Sequence, residues 1–345
     1  MGTILYVATN QGVVTVKKSG TEWEIGSHGL KNWDVNEIAI QPDDPLCVYA
    51  ATRGDGVLRS TDGGETWSKP NRGSAGPGKV KCVTIDPYDS NTIYAGGEPI
   101  AVWVSHDRGE SWSSMNGIQE IPGISEIDYP VLAVEPHVRD IVIHPGDSNT
   151  LYVTLQVGYM AKTIDGGRTW NLLNNAVDAD AHQLVSRKDQ PERLYLSTGG
   201  HSHRLGEAPG RALYRSLDGG ASWLPMALEF DQEYSIPMVT DPRDEDIVFS
   251  AVAYGNPSEW RKRETGAGAA LIRSIDGGET WQAITTNNDI SRFYPEAITL
   301  DPSAPDNMFV ATRKGQLFGS TDTGETWSNL GVQVPEVSDL KAAST

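Results

Sequence analysis

The sequence predicts an all-β fold: a closed ring of seven four-stranded antiparallel blades, built from one unit used seven times. Three observations carry this. The segment Ser60-Thr61-Asp62-Gly63-Gly64-Glu65-Thr66-Trp67 recurs, with small changes, at 105–112, 163–170, 216–223, 274–281 and 320–327. Upstream of each copy an apolar run ends at a mark, usually proline, and an aromatic residue follows at a constant interval. The pairs are Pro42/Tyr49, Pro87/Tyr94, Pro145/Tyr152, Lys188/Tyr195, Pro242/Phe249 and Pro302/Phe309. Finally, each end of the chain holds part of one more unit. A repeat period of this size denotes a single supersecondary unit stacked many times.

Taken in order, the first unit is split. Tyr6 and Trp23 match its second to fourth strands, with the segment at 16–23 decayed from the repeat. The first complete unit then reads as strands A (38–40), B (47–52), C (56–60) and D (67–69). β-Branched and aromatic residues fill the strands, and Asp, Gly, Pro and Asn fill the turns. Five further units follow. After Trp327 the tail runs through Val337-Ser338-Asp339-Leu340-Lys341-Ala342, where the next A strand falls. The economical arrangement closes the ring, with this C-terminal strand completing the first blade and pairing its open edge. The expectation is one seven-bladed β-propeller domain over residues 1–345.

The recurring box reads as a structural device. Its Asp can accept hydrogen bonds from the N–H groups of its own turn. Its glycines permit positive φ, and its Trp packs between sheets. Six equivalent aspartates (Asp62, Asp107, Asp165, Asp218, Asp276, Asp322) cannot all line one site. These boxes resemble those of the Asp-box (BNR-repeat) propellers, a superfamily that includes sialidases, other glycoside hydrolases, a photosystem assembly factor and sorting-receptor ectodomains. The resemblance extends over essentially the whole chain. It implies the fold, and a binding or hydrolytic role on one face. It does not select one activity.

Composition narrows the class. At 38% hydrophobic and 21% charged the chain is an ordinary globular mix with no membrane-length apolar run. The start, Met1-Gly2-Thr3-Ile4-Leu5-Tyr6, lacks the basic and apolar regions of a secretory leader. Cys47 and Cys82 fall in expected strands and read as buried free thiols, so a reducing, cytoplasmic location is expected. A net charge of −18 argues against nucleic acid and anionic membranes as partners.

Strand parity selects the functional face. In a four-stranded meander the A–B and C–D turns share one end of the blade, and the B–C and D–A connections share the other. All large length variation lies in the second class: after Trp112, between Tyr195 and Asp218, and between Phe249 and Asp276. Variable loops on a rigid scaffold are where binding usually resides, so this end is taken as the top.

The A strands should line the axial channel. Two and four residues before the mark they are apolar (Ile40, Ile38; Ile85, Val83; Ile143, Ile141). Six and eight before, they turn polar: Asn36 and Asp34, Lys81 and Lys79, Arg139 and His137, His182 and Asp180, Glu296 and Tyr294. Ile236 is the exception, with Tyr234 beside it. The B–C loops add Arg53, Glu98, Gln156, Arg313 and Lys314. The insertions add 119–129 (with Tyr129), His201, His203 and Arg204, and Trp260 among Arg261, Lys262 and Arg263. A concave site with converging polar groups is the default ligand site; a solvated funnel with counter-charged walls is the plainer alternative.

Three chemistries fit. His137, Asp180 and His182, from adjacent blades, have the ligand types of a Zn or non-haem Fe site, although no HExxH or paired CxxC spacing supports it. Carboxylates on opposite walls (Asp34, Glu98, Asp180, Glu296) could serve as acid and base in glycoside hydrolysis. The resemblance favours that reading. The Arg-bearing Ile-Pro motif of sialidases is absent from Ser235-Ile236-Pro237 and Glu120-Ile121-Pro122, which disfavours sialidase proper. Third, the chain could be a non-catalytic interaction scaffold. The expected role is binding of a small polar, carbohydrate-like ligand, anionic in one version, at the top-face pocket, with hydrolase or lyase chemistry left open. His137, Arg139, Asp180, His182 and Glu98 are the expected reactive residues. Arg139 would hold an anionic group, His182 or His137 would act as base or metal ligand, and Asp180 would orient a histidine. Arg53, Tyr234, Tyr294, Glu296 and Arg313 are the expected ligand contacts.

Overall fold

The computed structural model describes residues 2–71, 76–127, 134–284 and 288–345. Its seven sheets are the seven expected blades, each an antiparallel meander ordered A-B-C-D from the axis outward. Blade 1 takes its A strand from the C-terminus: Val337–Ser344 pairs with Thr3–Thr9, followed by Gly12–Ser19 and Glu22–Gly29. In blade 2 the strands are Val35–Gln41, Asp44–Thr52 and Gly56–Ser60, and D shrinks to an Arg59–Ser68 bridge. The A strands of blades 3 to 7 are Val80–Ile85, Val138–Ile143, Ala181–Ser186, Tyr234–Asp241 and Pro295–Asp301. Ring closure by the tail is therefore as the split unit predicts.

Strand alternation builds the core at the blade junctions. Ala39, Tyr49 and Ala51 of blade 2 pack on Val83, Ile93 and Trp112 of blade 3. Their sequence neighbours Ile38, Val48 and Ala50 face the other way, onto Ile4, Tyr6 and Ala8 of blade 1. Cys47 and Cys82 are buried free thiols.

The boxes are closed turns. Asp276 accepts from Ser274 Oγ at 2.8 Å, Thr280 N at 2.9 Å and Thr280 Oγ1 at 2.6 Å. The same pattern surrounds Asp62. Each box also donates a turn N–H to the A–B turn of its own blade, for example Gly63 to Leu46 O, Gly166 to Asn149 O and Gly277 to Asp246 O, each at 2.9 Å. Boxes and A–B turns thus share one end of every blade, as parity requires.

The other end carries two of the three insertions in full. Gly199 N donates to Asp180 O at 2.8 Å, placing the loop after Leu194–Thr198 on the channel mouth. Trp260, in the helical turn Pro257–Trp260, packs on Tyr234 and Tyr294. The third insertion corrects the expectation in part. Strand D of blade 3 is Ser113–Ser114, and the 3-10 turn Asn116–Glu120 that follows starts beside the blade 4 box, where Gly117 abuts the Arg168 carbonyl, and reaches the other end at Gln119, which donates to Ile100 O in the B–C loop at 2.5 Å. Further along, Ile127 reaches Gly158 in the B–C loop of blade 4. The expected rim residue Tyr129 lies outside the described residues. Among the described residues no helix is long and apolar enough to cross a membrane.

Candidate functional site

Each A strand carries a register shift near its top, between Val35 and Glu37, Val80 and Cys82, Val138 and Asp140, Ala181 and Leu184, Ser235 and Met238, and Pro295 and Ala297. The C-terminal strand has the same shift opposite Ala8 and Thr9. A bulge breaks the two-residue alternation. Consecutive residues therefore both reach the axis: Asn36 with Glu37, Arg139 with Asp140, His182 with Gln183, and Ser338 with Asp339 line one axial cavity of about 280 Å³.

The inner members of these pairs lock blade to blade. Glu37 accepts from Val83 N at 2.8 Å, Asp140 from Leu184 N at 3.0 Å, Gln183 from Met238 N at 3.0 Å and Asp339 from Ile38 N at 3.0 Å. Lys341 joins them, 3.2 Å from Asp339 and 3.8 Å from Glu37. Burial pushes the Glu37 carboxyl up to about 8 against the pull of Lys341. None of these groups was singled out in the sequence. The signal that could have found them is the polar residue five before the mark, read as a bulge rather than as a core position.

Above this collar runs a chain of side chains across blades 4, 5 and 6. Arg139 Nη1 donates to Gln156 Oε1 at 2.8 Å, and Gln156 Nε2 donates to Asp180 Oδ1 at 2.5 Å. Asp180 Oδ1 lies 3.4 Å from His182 Nε2, and His182 Nδ1 meets Ser235 O at 2.6 Å. That last contact requires Nδ1 to carry a proton, because a carbonyl only accepts. The other ring nitrogen, Nε2, faces Asp180 Oδ1, so a proton there makes it a donor to that carboxylate. Burial opposes charge on Asp180, but His182, with Arg139 and His201, offsets it and holds the carboxyl below its ordinary value.

Two blades on, Glu296 is buried beside Arg313, whose Nε is 3.1 Å from Oε2. Here burial wins over Arg313, and the Glu296 carboxyl is pushed up. Asp180, held behind the lining residue His182, and Glu296, which lines the cavity, are thus driven in opposite directions. Tyr234 stands between these groups, its ring 5.2 Å from His182 and 5.7 Å from Tyr294. Tyr294 is fully buried. Its hydroxyl accepts from Ile236 N at 2.7 Å, so it supports the wall instead of facing the cavity.

The remaining expected residues fall around the mouth. Glu98 is buried between Lys81 at 2.8 Å and Lys79 at 3.4 Å; burial opposes its charge, yet Lys81 keeps the carboxyl below its ordinary value. A carboxylate so engaged is an anchor for the two lysines more than a free acid or base. Arg53 pairs with Asp34 at 3.1 Å on the exposed rim. His137 is buried, with Nδ1 on Glu135 O at 2.9 Å; desolvation, then Lys81, lowers it to about 3, so it is neutral at ordinary pH. The expected metal set of His137, Asp180 and His182 is not assembled. Among the described residues no three His, Cys, Asp or Glu side chains converge as ligands, because His137 and His182 are each turned to a different backbone carbonyl.

A family model for the BNR/Asp-box repeat matches residues 58–69, which identifies the recurring box. The chain is 27% identical over 175 residues to a xyloglucanase from Paenibacillus sp; that match spans 47% of this chain and only 16% of the enzyme. In structure it is similar to a GH74 xyloglucanase from Xanthomonas campestris, with a TM-score of 0.66 and 17% identity, covering 99% of this chain and 52% of that one. It is also similar to YCF48 bound to a D1 peptide, with a TM-score of 0.59 and 18% identity, covering 91% and 88%. At these identities the solved structures establish a shared fold.

Proposed function

We propose that the axial cavity binds a small polar, carbohydrate-like ligand, and that Asp180 and Glu296 act on it as in glycoside hydrolysis. The observation that carries this is that the cavity lining brings His182, backed by Asp180, together with Glu296, and that the two carboxyls are shifted in opposite directions: Asp180 down, Glu296 up. Environments that drive paired carboxyls apart assign one as acid and the other as base or nucleophile. The cavity, at about 280 Å³, falls just below the roughly 300–1,000 Å³ of small-molecule sites, the size of a single sugar unit. Asn36, Lys81 and Arg139 bring polar and cationic groups to the lining, and Ile236, Pro237 and Ile298 an apolar wall. The resemblance to xyloglucanases points to carbohydrate as the ligand class.

The test is a thermal-shift and calorimetric screen of monosaccharides and aryl glycosides against the wild type, Asp180→Asn, Glu296→Gln and His182→Ala. Asp180→Asn and Glu296→Gln should each lower turnover of a responsive glycoside by at least about a hundredfold, the lower range for a general acid or base, with an unchanged melting point. Turnover unaffected by either substitution would refute the catalytic part. A second reading, a non-catalytic scaffold, rests on the fold shared with YCF48 over most of both chains. It wins if a protein partner binds through the loop around Trp260 and ignores His182→Ala.

A further inference from the structure

At six of the seven blade junctions the box is a plug. The second box glycine of each blade faces the preceding blade: Gly64 meets Thr15, Gly109 Pro70, Gly167 Met115, Gly220 Leu173, Gly278 Met226 and Gly324 Ile284. Five of these six contacts fall at or just after the preceding D strand. Blade 1 has no such plug. Its decayed segment closes as a tight hairpin, Ser19 opposite Glu22 with Gly20 at φ +62°, and among the described residues no box glycine of blade 1 faces blade 7.

The result is a groove of about 700 Å³ between Lys18–Trp23 on one side and Ser328–Gly331 on the other. Trp23 forms its floor, half-buried, edge-on to Phe309 at 5.3 Å and 73°. In four intact boxes the Trp indole N–H donates to the carbonyl of the second box glycine, as Trp327 does to Gly324 at 2.9 Å. Trp23, which follows a hairpin in place of a box turn, makes no such bond. Ser328 and Asn329 are exposed beside it, Asn307 lies at the far wall, and the charges at the rim, Lys18 and Glu22, are of opposite sign.

We infer that this seam is a second binding site, for a neutral oligosaccharide. A half-exposed indole, flanked by amides and hydroxyls, suits a pyranose. The ring's apolar face stacks on the aromatic, and its hydroxyls find donors and acceptors on both sides. The groove holds two to three times the volume of the axial cavity, 700 against 280 Å³, and takes more than one sugar unit. The site is independent of the axial cavity and survives if that reading fails.

The experiment titrates cellohexaose and mannohexaose into the whole chain by calorimetry. At least one should bind. Trp23→Ala should weaken binding by about tenfold or more, a difference that calorimetry resolves readily, and Trp23→Phe should restore most of it. Asn329→Arg, on an exposed position outside the core, should block the groove even if Trp23→Ala folds poorly. Arg139→Ala, in the axial cavity, should leave the affinity unchanged. The inference falls if neither hexasaccharide binds, if binding is indifferent to Trp23→Ala and Asn329→Arg, or if Arg139→Ala alone abolishes it.

Discussion

The box aspartates illustrate what one side chain contributes. Asp276 closes its turn with three hydrogen bonds. Asp276→Ala removes their acceptor, so it should lower stability by about 1–3 kcal/mol without touching the axial cavity; denaturant unfolding measures this, and loss of ligand binding at constant stability would contradict it. The Thr66 hydroxyl and amide hold Asp62 down to about 2, and its equivalents in the other boxes are also lowered. A carboxyl depressed in the folded state contributes stability above its unfolded value and loses it as pH falls through the folded value. The melting point should therefore fall between about pH 4 and pH 2; a curve flat to pH 2 in thermal melts would show the boxes unlinked to acid stability. These roles were legible in the sequence, because six copies of one motif in register exclude a single-site function.

At the level of the strand, the bulge decides the site. Reading the A strands as regular alternation found Arg139, His182 and Glu296, which sit at the bulge, and missed Glu37, Asp140, Gln183 and Asp339 one residue on. A register shift of one residue leaves no mark in composition, so pairing in space was needed to expose it. Glu37 gives a test of this collar. Its raised carboxyl, about 8 in the fold against an ordinary 4.5, favours the folded state at low pH and loses that advantage as pH rises toward 8. Glu37→Gln keeps an acceptor for Val83 N and removes the titration. Its melting point should gain on the wild type between pH 5 and 8, whereas parallel curves would mean Glu37 is not a buried titrating group. Lys341→Ala leaves the surrounding half-buried carboxylates without their cation, and should cost about 1–2 kcal/mol in denaturant unfolding, less than a fully buried pair because the lysine is partly solvated.

For the molecule as a whole, closure is the organising fact. The C-terminal strand pairs with Thr3–Thr9 from Thr3↔Ser344 to Thr9↔Val337 and supplies Asp339 and Lys341 to the channel collar. Deleting 337–345 would open the edge of Thr3–Thr9 and strip the axis of its half-buried lysine. Such a chain should melt broadly at lower temperature and aggregate through the freed edge; a sharp, unshifted transition in calorimetry would show that the ring does not need its clasp. The same scale explains the seam groove, which follows from one missing box and is invisible to any unit read alone.

The sequence by itself determined the number of blades, the closure and the structural role of the boxes, since these follow from periodicity and local turn chemistry. It also placed most of the polar groups at the mouth of the channel. Tertiary structure alone decided what those groups do. It set Glu98 between two lysines, turned His137 and His182 to separate carbonyls so that no metal set forms, and buried Tyr294 in the wall. The reason is physical: a strand's own residues specify where it runs, but the partner of a side chain at the axis comes from another blade, tens to hundreds of residues away.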